Sequence, residues 1–143
     1  MKRFEFTLQK LYEVKKISEN QLMREQEQIV KKLQDLENEK NALVFKFSNE
    51  RDHYDEDCKK GIRAQNMQSY GEYFDFLMES LKKLDVKVRK CQADKEKCTQ
   101  MLLKIINEIK VLEKIKQEQF IEYNKELQKN DDKMLEDFLC GRM

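Results

Sequence analysis

Apolar residues in the second half of the chain recur in alternating steps of four and three positions. A stripe of this kind repeats every 3.5 residues, so it keeps facing a partner helix while the two helices supercoil around each other. One polar residue, Lys95, interrupts it. The spacing predicts a long helix over about residues 71–139. The stripe consists of Phe74, Leu77, Leu81, Leu84, Val88, Cys91, Lys95, Cys98, Leu102, Ile105, Ile109 and Leu112.

The first half of the chain carries a weaker stripe with a seven-residue repeat. Phe4 and Leu11 occupy the second apolar position of the first repeats. Lys15 is polar at a position where the repeat otherwise has an apolar residue. The pattern predicts a first helix over about residues 4–58. The apolar residues of the repeat are Leu8, Leu22, Ile29, Leu36 and Leu43.

The segment between the two stripes, about residues 59–70, is predicted to form the turn. Gly61 and Gly71 lie in or beside it, and glycine lowers helix stability and permits the chain to reverse. Ser69 is a candidate cap for the second helix. Two long helices joined by one short connection are antiparallel. The sequence therefore predicts an all-α fold, a long antiparallel two-helix coiled-coil hairpin that forms one unit over residues 1–143.

The register of the hairpin follows from the position of the turn. A turn centred near Met67 brings apolar residues of the two stripes together, and each arm is then about 80 Å long at 1.5 Å per residue. A parallel homodimer through either stripe is the alternative to a monomeric hairpin. The predicted layers pair Leu43 with Cys91, Leu36 with Cys98, Ile29 with Ile105 and Leu22 with Leu112.

Composition supports long helices and limits the classes of partner. The chain has no Pro and three Gly among 143 residues, and 40% of its residues are charged, which is typical of a coiled coil and not of a compact globule. The 29 basic and 28 acidic residues are interspersed. This argues against nucleic acid or an anionic membrane as the main partner, because both attract clustered positive charge. No apolar run resembles a signal peptide or a transmembrane span, so we expect a cytosolic protein without membrane insertion.

The cysteines and the single histidine show no arrangement for metal binding or catalysis. No C-x-x-C pair exists, so we expect the cysteines to be small buried residues in a reducing compartment, with a disulfide or metal site as the alternative. His53 lies in a charged stretch with Asp52, Asp55 and Asp57, and ligands spaced two residues apart on a helix do not converge. No phosphate-binding loop is present. The sequence predicts no enzyme, no cofactor and no metal. The cysteines are Cys58, Cys91, Cys98 and Cys140.

Aromatic residues crowd the region of the turn, and a narrow seam cannot accept them all. Residues two apart on a helix point to nearly opposite faces, so Phe45 and Phe47 cannot both enter the seam, nor can Phe74 and Phe76. Some of these rings are therefore expected on the surface, where clustered aromatics mark a binding patch. The alternative is that they pack together and thicken a small core at the turn. The cluster consists of Phe45, Phe47, Tyr54, Tyr70, Tyr73, Phe74 and Phe76.

The C-terminal segment carries apolar residues that the hairpin does not use. In the register above, Asn130 lies level with Phe4, so the chain beyond it projects past the start of the first helix. An amphipathic helix end with an unused apolar face is suited to docking in a groove. A frayed terminus is the alternative. The apolar residues of this segment are Met134, Leu135, Phe138 and Leu139.

Three stretches of the chain resemble the flagellar FliJ family, whose members are small cytosolic components of the flagellar type III export apparatus. The opening FEFTLQKLYEVKKISENQLMRE is similar to the family's N-terminal start, and YGEYFDFLMESL matches its central element of aromatic and apolar residues. The closing DDKMLEDFLCGRM resembles its last segment, although the acidic pair is reversed here, as Glu136 and Asp137. The central element is matched by Tyr70, Tyr73, Phe74, Leu77 and Leu81.

The resemblance implies a partner set and a mechanism. Family members form an antiparallel coiled-coil hairpin similar to the stalk subunit of rotary ATPases. The end with both termini is thought to enter the pore of the hexameric flagellar export ATPase and to promote its assembly. The hairpin also contacts the membrane export gate protein and the export chaperones, on the inner face of the cell membrane at the flagellar base. A generic coiled-coil scaffold, or a stalk protein of a related type III secretion system, is the alternative.

The resemblance also implies two binding surfaces. Lys46 and Glu50 stand where the family often has tyrosines, which is a departure in the first arm. The gate-facing patch is predicted at Leu43, Tyr73, Leu77, Ser80 and Leu84. Two further members of the aromatic cluster, Phe47 and Tyr70, are predicted to belong to it. The ATPase-facing end is predicted at Phe4, Leu8, Leu11, Met134 and Phe138.

Overall fold

The computed structural model describes residues 3–141, which form two long α-helices. The first helix, α1, spans Gln9–Lys60, and the second, α2, spans Ala64–Gly141. Residues 3–8 precede α1 without helical structure, and no strand occurs in the described part of the chain. The predicted all-α hairpin is confirmed. The first helix begins later than predicted, because the chain from Phe4 to Leu8 crosses the side of α2 before it enters the helix.

The connection between the helices is shorter and lies earlier than the sequence analysis predicted. Gly61 has a φ of +90°, and its N–H donates to the Cys58 carbonyl at 3.3 Å. A left-handed glycine directly after the last turn is a common way for a helix to end, because it costs no Cβ clash. The connection is therefore residues 61–63, and not about residues 59–70.

Residues that were predicted to form the turn lie inside α2. The Ser69 hydroxyl donates to the Gln65 carbonyl at 3.2 Å, four residues back, so Ser69 does not cap the helix. The carbonyl that accepts the first helical hydrogen bonds belongs to Arg63, which receives the N–H groups of Asn66 and Met67. Gly71 is also helical. One glycine in a long helix costs only about 1 kcal/mol, which the packing of its neighbours offsets.

The chain divides into two compact units. One unit, the terminal unit, comprises Met1–Met23 and Gln100–Met143, and the other, the connection unit, comprises Arg24–Thr99. In both units the helices run antiparallel, and one face of α2 is buried or half-buried from Phe74 to Leu112. All twelve positions of the predicted α2 stripe are buried or half-buried. The period that was read from the sequence therefore identifies the face of α2 that packs against α1.

The register within the connection unit differs from the predicted one. Cys91 packs with Leu33 and Val88, with Ile29 and Leu36 against them, and not with Leu43. The Cys91 thiol donates to the Ile29 carbonyl at 3.5 Å. Because the turn lies earlier than predicted, each residue of α2 meets a residue nearer the N-terminus of α1. Apolar layers form in both registers, so the stripes alone do not distinguish them.

The terminal unit continues this register with polar pairs at the edge of the seam. The Lys15 ammonium lies 2.5 Å from a Glu108 carboxylate oxygen. This ion pair explains why the first stripe can hold a lysine at an otherwise apolar position. The hydrogen bond from Lys15 lowers the pKa of Glu108. One turn towards the N-terminus, the Tyr12 hydroxyl donates to Glu113 at 3.3 Å. A charged pair at a seam position specifies register, because a slip would separate the charges.

Replacing Gly71 with alanine is expected to stabilise the protein by roughly 0.5–1 kcal/mol, because alanine favours the helix and the added methyl meets no atom. Urea unfolding followed by circular dichroism measures the change. The matched control is Gly61→Ala, which also adds one methyl in open space. It is expected to destabilise, because alanine rarely adopts the left-handed φ at that position. Equal effects of the two substitutions would contradict the assignment of the turn.

Candidate docking surfaces

Four aromatic rings form a cluster beside the helix connection. Phe47 and Phe74 lie 5.3 Å apart between ring centroids, and Tyr54 contacts Tyr70 edge-on at 5.2 Å. All four rings are half-buried. Aromatic pairs at these distances stabilise beyond their buried area, by about 0.5–1.5 kcal/mol each. This turn cluster (Phe47, Tyr54, Tyr70 and Phe74) fixes the two helices to each other next to the flexible glycine, as one of the two sequence-based alternatives foresaw.

A short hydrogen bond locks the turn cluster to α1. The Tyr70 hydroxyl donates to a carboxylate oxygen of Asp57 at 2.5 Å, and this bond raises the pKa of Tyr70 to about 12. A hydrogen bond with Cys58 also raises the pKa of Tyr54. Both tyrosines therefore stay neutral to a higher pH than an ordinary phenol.

Outside the turn cluster, two further rings stack on the surface of α2. Tyr73 and Phe76 lie 6.5 Å apart between centroids and are nearly parallel. Phe76 is 62% exposed, and Phe45 on α1 is 66% exposed. Some aromatics near the turn therefore lie on the surface, and the rest form the turn cluster. The packing alternative holds for the turn cluster, and the expected surface exposure holds for Phe45, Tyr73 and Phe76. We call Tyr73 and Phe76 the surface pair.

In the terminal unit, the segment before α1 packs against the side of α2. Phe4 contacts Phe120 edge-on at 5.2 Å between centroids and Tyr123 at 5.5 Å. Phe6 is buried, with the Lys116 ammonium 6.0 Å from its ring centre. Phe6 was not among the predicted site residues, because this segment was expected to be helical and Phe6 falls off the stripe. The alternation of apolar and polar residues from Phe4 to Leu8 was the signal for an extended segment.

Beyond these contacts α2 continues past the start of α1, which begins at Gln9. Residues 124–141 extend it by about 27 Å at 1.5 Å per residue. Phe4 lies beside Phe120 and not level with Asn130, so this extension, the tail, is longer than predicted. Met134 is 71% exposed and Phe138 56% exposed. The described part of the tail is helical and not frayed up to Gly141.

Comparison with known proteins decides the family. The sequence profile described as flagellar FliJ protein matches residues 4–140. The chain belongs to the FliJ family. No curated protein and no solved structure matches the chain. The match covers nearly the whole chain, so it includes the turn cluster, the surface pair and the tail.

Membership of the FliJ family gives the protein a role in the export of flagellar proteins, with partners in the export machinery, as a component without catalytic function. It also places the protein in flagellum biogenesis. Among residues 3–141, no helix is long and apolar enough to cross a bilayer. No group of three or more potential metal ligands occurs there either. The cysteines are divided, since Cys91 and Cys98 are buried as predicted whereas Cys58 and Cys140 are exposed.

The residues of the predicted gate-facing patch separate into three groups. Leu77 is 1% exposed and Leu84 is buried, so both stabilise the seam and do not form a surface. Phe47 and Tyr70 belong to the turn cluster, and Leu43 and Ser80 are half-buried. Tyr73 alone among the seven is exposed, together with Phe76, which the prediction left out of the patch. Heptad position therefore identifies the buried residues of the seam, and the exposed residues lie beside it.

The residues of the predicted ATPase-facing end all lie in the terminal unit. Phe4 and Leu8 are half-buried and Leu11 is 44% exposed. Phe4 already contacts two rings of α2, so its ring organises this end of the molecule. Met134 and Phe138 lie in the tail, beyond these contacts.

Ionisation of Tyr70 is expected to have its midpoint near pH 12 in an ultraviolet titration. The pKa of Tyr70 is raised in the folded protein, so its stabilising effect is complete below about pH 10, the pKa of the unfolded chain. It is lost as the pH rises towards 12. Tyr70→Phe removes this titration and should flatten the fall in stability over that interval. The control is Tyr73→Phe, and a Tyr70→Phe protein with an unchanged titration curve would refute the bond to Asp57.

Proposed function

We propose that this FliJ-family chain is a stalk-like subunit of the flagellar type III export apparatus. It binds the hexameric export ATPase through the terminal unit, and it binds the membrane export gate protein and export chaperones through the surface near the turn. It acts in the cytoplasm, on the inner face of the membrane at the flagellar base. The observation that carries the proposal is the tail, a helix that continues past its internal partners with large apolar side chains exposed.

The tail suits insertion into a protein cavity. Met134, Leu135, Phe138 and Leu139 are each half exposed or more, over little more than one helical turn. A helix that offers residues three and four apart to a groove buries them on docking, and each large apolar side chain that is fully buried contributes about 1.5–3 kcal/mol. The N-terminal segment supports the base of the tail, because Phe4 contacts Phe120 and Tyr123 there.

The surface pair suits a second partner. Tyr73 and Phe76 stack on each other, so their rings are partly ordered before any partner binds. An ordered aromatic surface loses little conformational entropy on binding and is typical of the residues that dominate interface energies. The turn cluster lies in the same stretch of α2 and joins it to α1. We therefore assign the gate and chaperone contacts to Tyr73, Phe76 and the neighbouring Ser80.

The purified chain is expected to raise hexamer formation and ATP turnover of its cognate export ATPase. The substitution Met134→Asp should abolish most of this effect, because it places a charge in the docking face. The control is Val86→Asp, at an equally exposed valine in the connection unit. Analytical ultracentrifugation and a phosphate-release assay measure the two effects. A wild-type chain that neither binds nor stimulates the ATPase would refute the proposal and would favour a generic scaffold.

The double substitution Tyr73→Ala/Phe76→Ala is expected to weaken binding of the purified export gate protein at least tenfold. Truncating an aromatic residue at the centre of an interface typically costs about 2 kcal/mol of binding free energy. Met78→Ala, on the same helix and 46% exposed, is the matched control. Biolayer interferometry gives the affinities. Stimulation of the ATPase should survive both changes, so loss of both activities in the double variant would indicate misfolding or a shared site.

A further inference from the structure

Three exposed lysines of α2 recur at intervals of seven residues within the connection unit. Each of them directly precedes a residue that the seam buries, so the packing of α2 against α1 holds all three on one side of the helix. They follow one another at intervals of about 10 Å along the helix axis, at 1.5 Å per residue. We call them the lysine row, which consists of Lys83, Lys90 and Lys97, before the buried Leu84, Cys91 and Cys98.

The surface pair lies on the same side of α2, at the end of the row nearer the turn. Phe76 directly precedes Leu77, which is 1% exposed, so Phe76 occupies the position one repeat before Lys83. Tyr73 stacks on Phe76 with 6.5 Å between the ring centroids. Apolar rings and ammonium groups therefore follow one another along about 32 Å of the helix. A partner that covers the surface pair and continues along α2 meets the lysine row.

Positive charge is concentrated in this stretch of α2. Residues 76–97 contain seven basic and four acidic residues, whereas the rest of the chain contains 22 basic and 24 acidic residues. The stretch of α1 that packs beside it, residues 26–47, contains four residues of each sign. The first helix therefore does not neutralise the excess of positive charge on the second.

No lysine of the row forms an ion pair among the residues that the structure describes. The ion pairs of that part of the chain use other cations, two of which already engage Asp85. Glu79 and Asp94 are exposed at the edges of the row, each four residues from one of its lysines. The ammonium groups of the row are therefore available to the carboxylates of a partner.

We propose that the partner bound at the surface pair lays an acidic polypeptide segment along the lysine row, with carboxylates about 10 Å apart. The inference rests on the proposed function, which makes the export gate protein this partner. Opposite charges across an interface speed encounter and fix the register of the two surfaces, although exposed ion pairs add little to affinity. The rings of the surface pair supply the apolar contact, and the row sets the direction in which the partner lies.

The acidic residues at the edges of the row favour a polypeptide over a nucleic acid. A nucleic-acid backbone carries a negative charge at every nucleotide, so it would bring phosphates against Glu79 and Asp94 as well as against the lysines. Like charges brought together at an interface oppose association. Separate carboxylates at the spacing of the lysines avoid this repulsion.

The test follows binding of the purified export gate protein to the full-length chain by biolayer interferometry. The triple substitution Lys83→Glu/Lys90→Glu/Lys97→Glu is expected to slow association about tenfold at about 50 mM salt and to change dissociation less than about twofold. At about 500 mM salt the difference should largely vanish, because salt screens exposed charges. The corresponding substitutions to Gln place no new carboxylates beside Glu79 and Asp94 in the helix, and they should slow association to a smaller extent.

The matched control reverses three exposed lysines of α2 in the terminal unit, with the same change in net charge. Lys110→Glu/Lys114→Glu/Lys125→Glu should leave association with the gate protein within about twofold of the wild-type rate. Circular dichroism checks that each variant keeps its helices.

Four outcomes would overturn the inference. Unchanged association of the row variants with the gate protein would do so while leaving the proposed function intact. Equal slowing by the control would show a general charge effect. Binding of a single-stranded oligonucleotide, or a wild-type dimer in analytical ultracentrifugation, that the row variants abolish would identify a different occupant of the row. A wild-type chain that does not bind the gate protein would remove the proposed gate contact and the inference together.

Discussion

The burial of one apolar stripe against another is the interaction on which every other feature of this protein depends. A seam between two helices is narrow, so stability must come from many layers and not from one large core. Leu77, Val88 and Ile109 are among the side chains that the seam buries. Each fully buried residue of this size contributes about 1.5–3 kcal/mol. The surfaces of the helices are then left free to carry charge and binding residues.

Polar residues within the seam have a different task from the apolar ones. Many registers of two heptad stripes bury similar areas, because leucine meets leucine in each of them. Lys15 with Glu108, and Gln26 with Thr99, are satisfied in one register only. The Gln26 amide donates to the Thr99 hydroxyl at 2.9 Å, and that hydroxyl donates to the Lys95 carbonyl. These pairs select among arrangements that hydrophobic burial leaves nearly equal.

The fold class and the buried face could be predicted from the sequence, because both follow from the heptad period alone. The register could not, because it depends on where the chain turns. The sequence does not distinguish Gly61 from Gly71 as the site of the turn. In the structure Gly61 has a positive φ, whereas Gly71 is an ordinary helical residue. Phe76, one residue of the surface pair, was left out of the predicted gate-facing patch. The family resemblance placed Leu77 in the predicted patch, whereas its heptad position buries it.

The position of the turn also determines how much of α2 is available for binding. In an antiparallel pair, moving the turn towards the N-terminus shifts every pairing on α2 in the same direction, by twice the displacement. Phe4 consequently lies beside Phe120, where the predicted register placed it level with Asn130. With the predicted register, Leu127 would lie within the seam and Asp131 at its margin, beside the first residues of the chain. In the structure both lie beyond the ring contacts of Phe4. The early turn at Gly61 therefore also ends the seam earlier along α2, and this gives the tail its length.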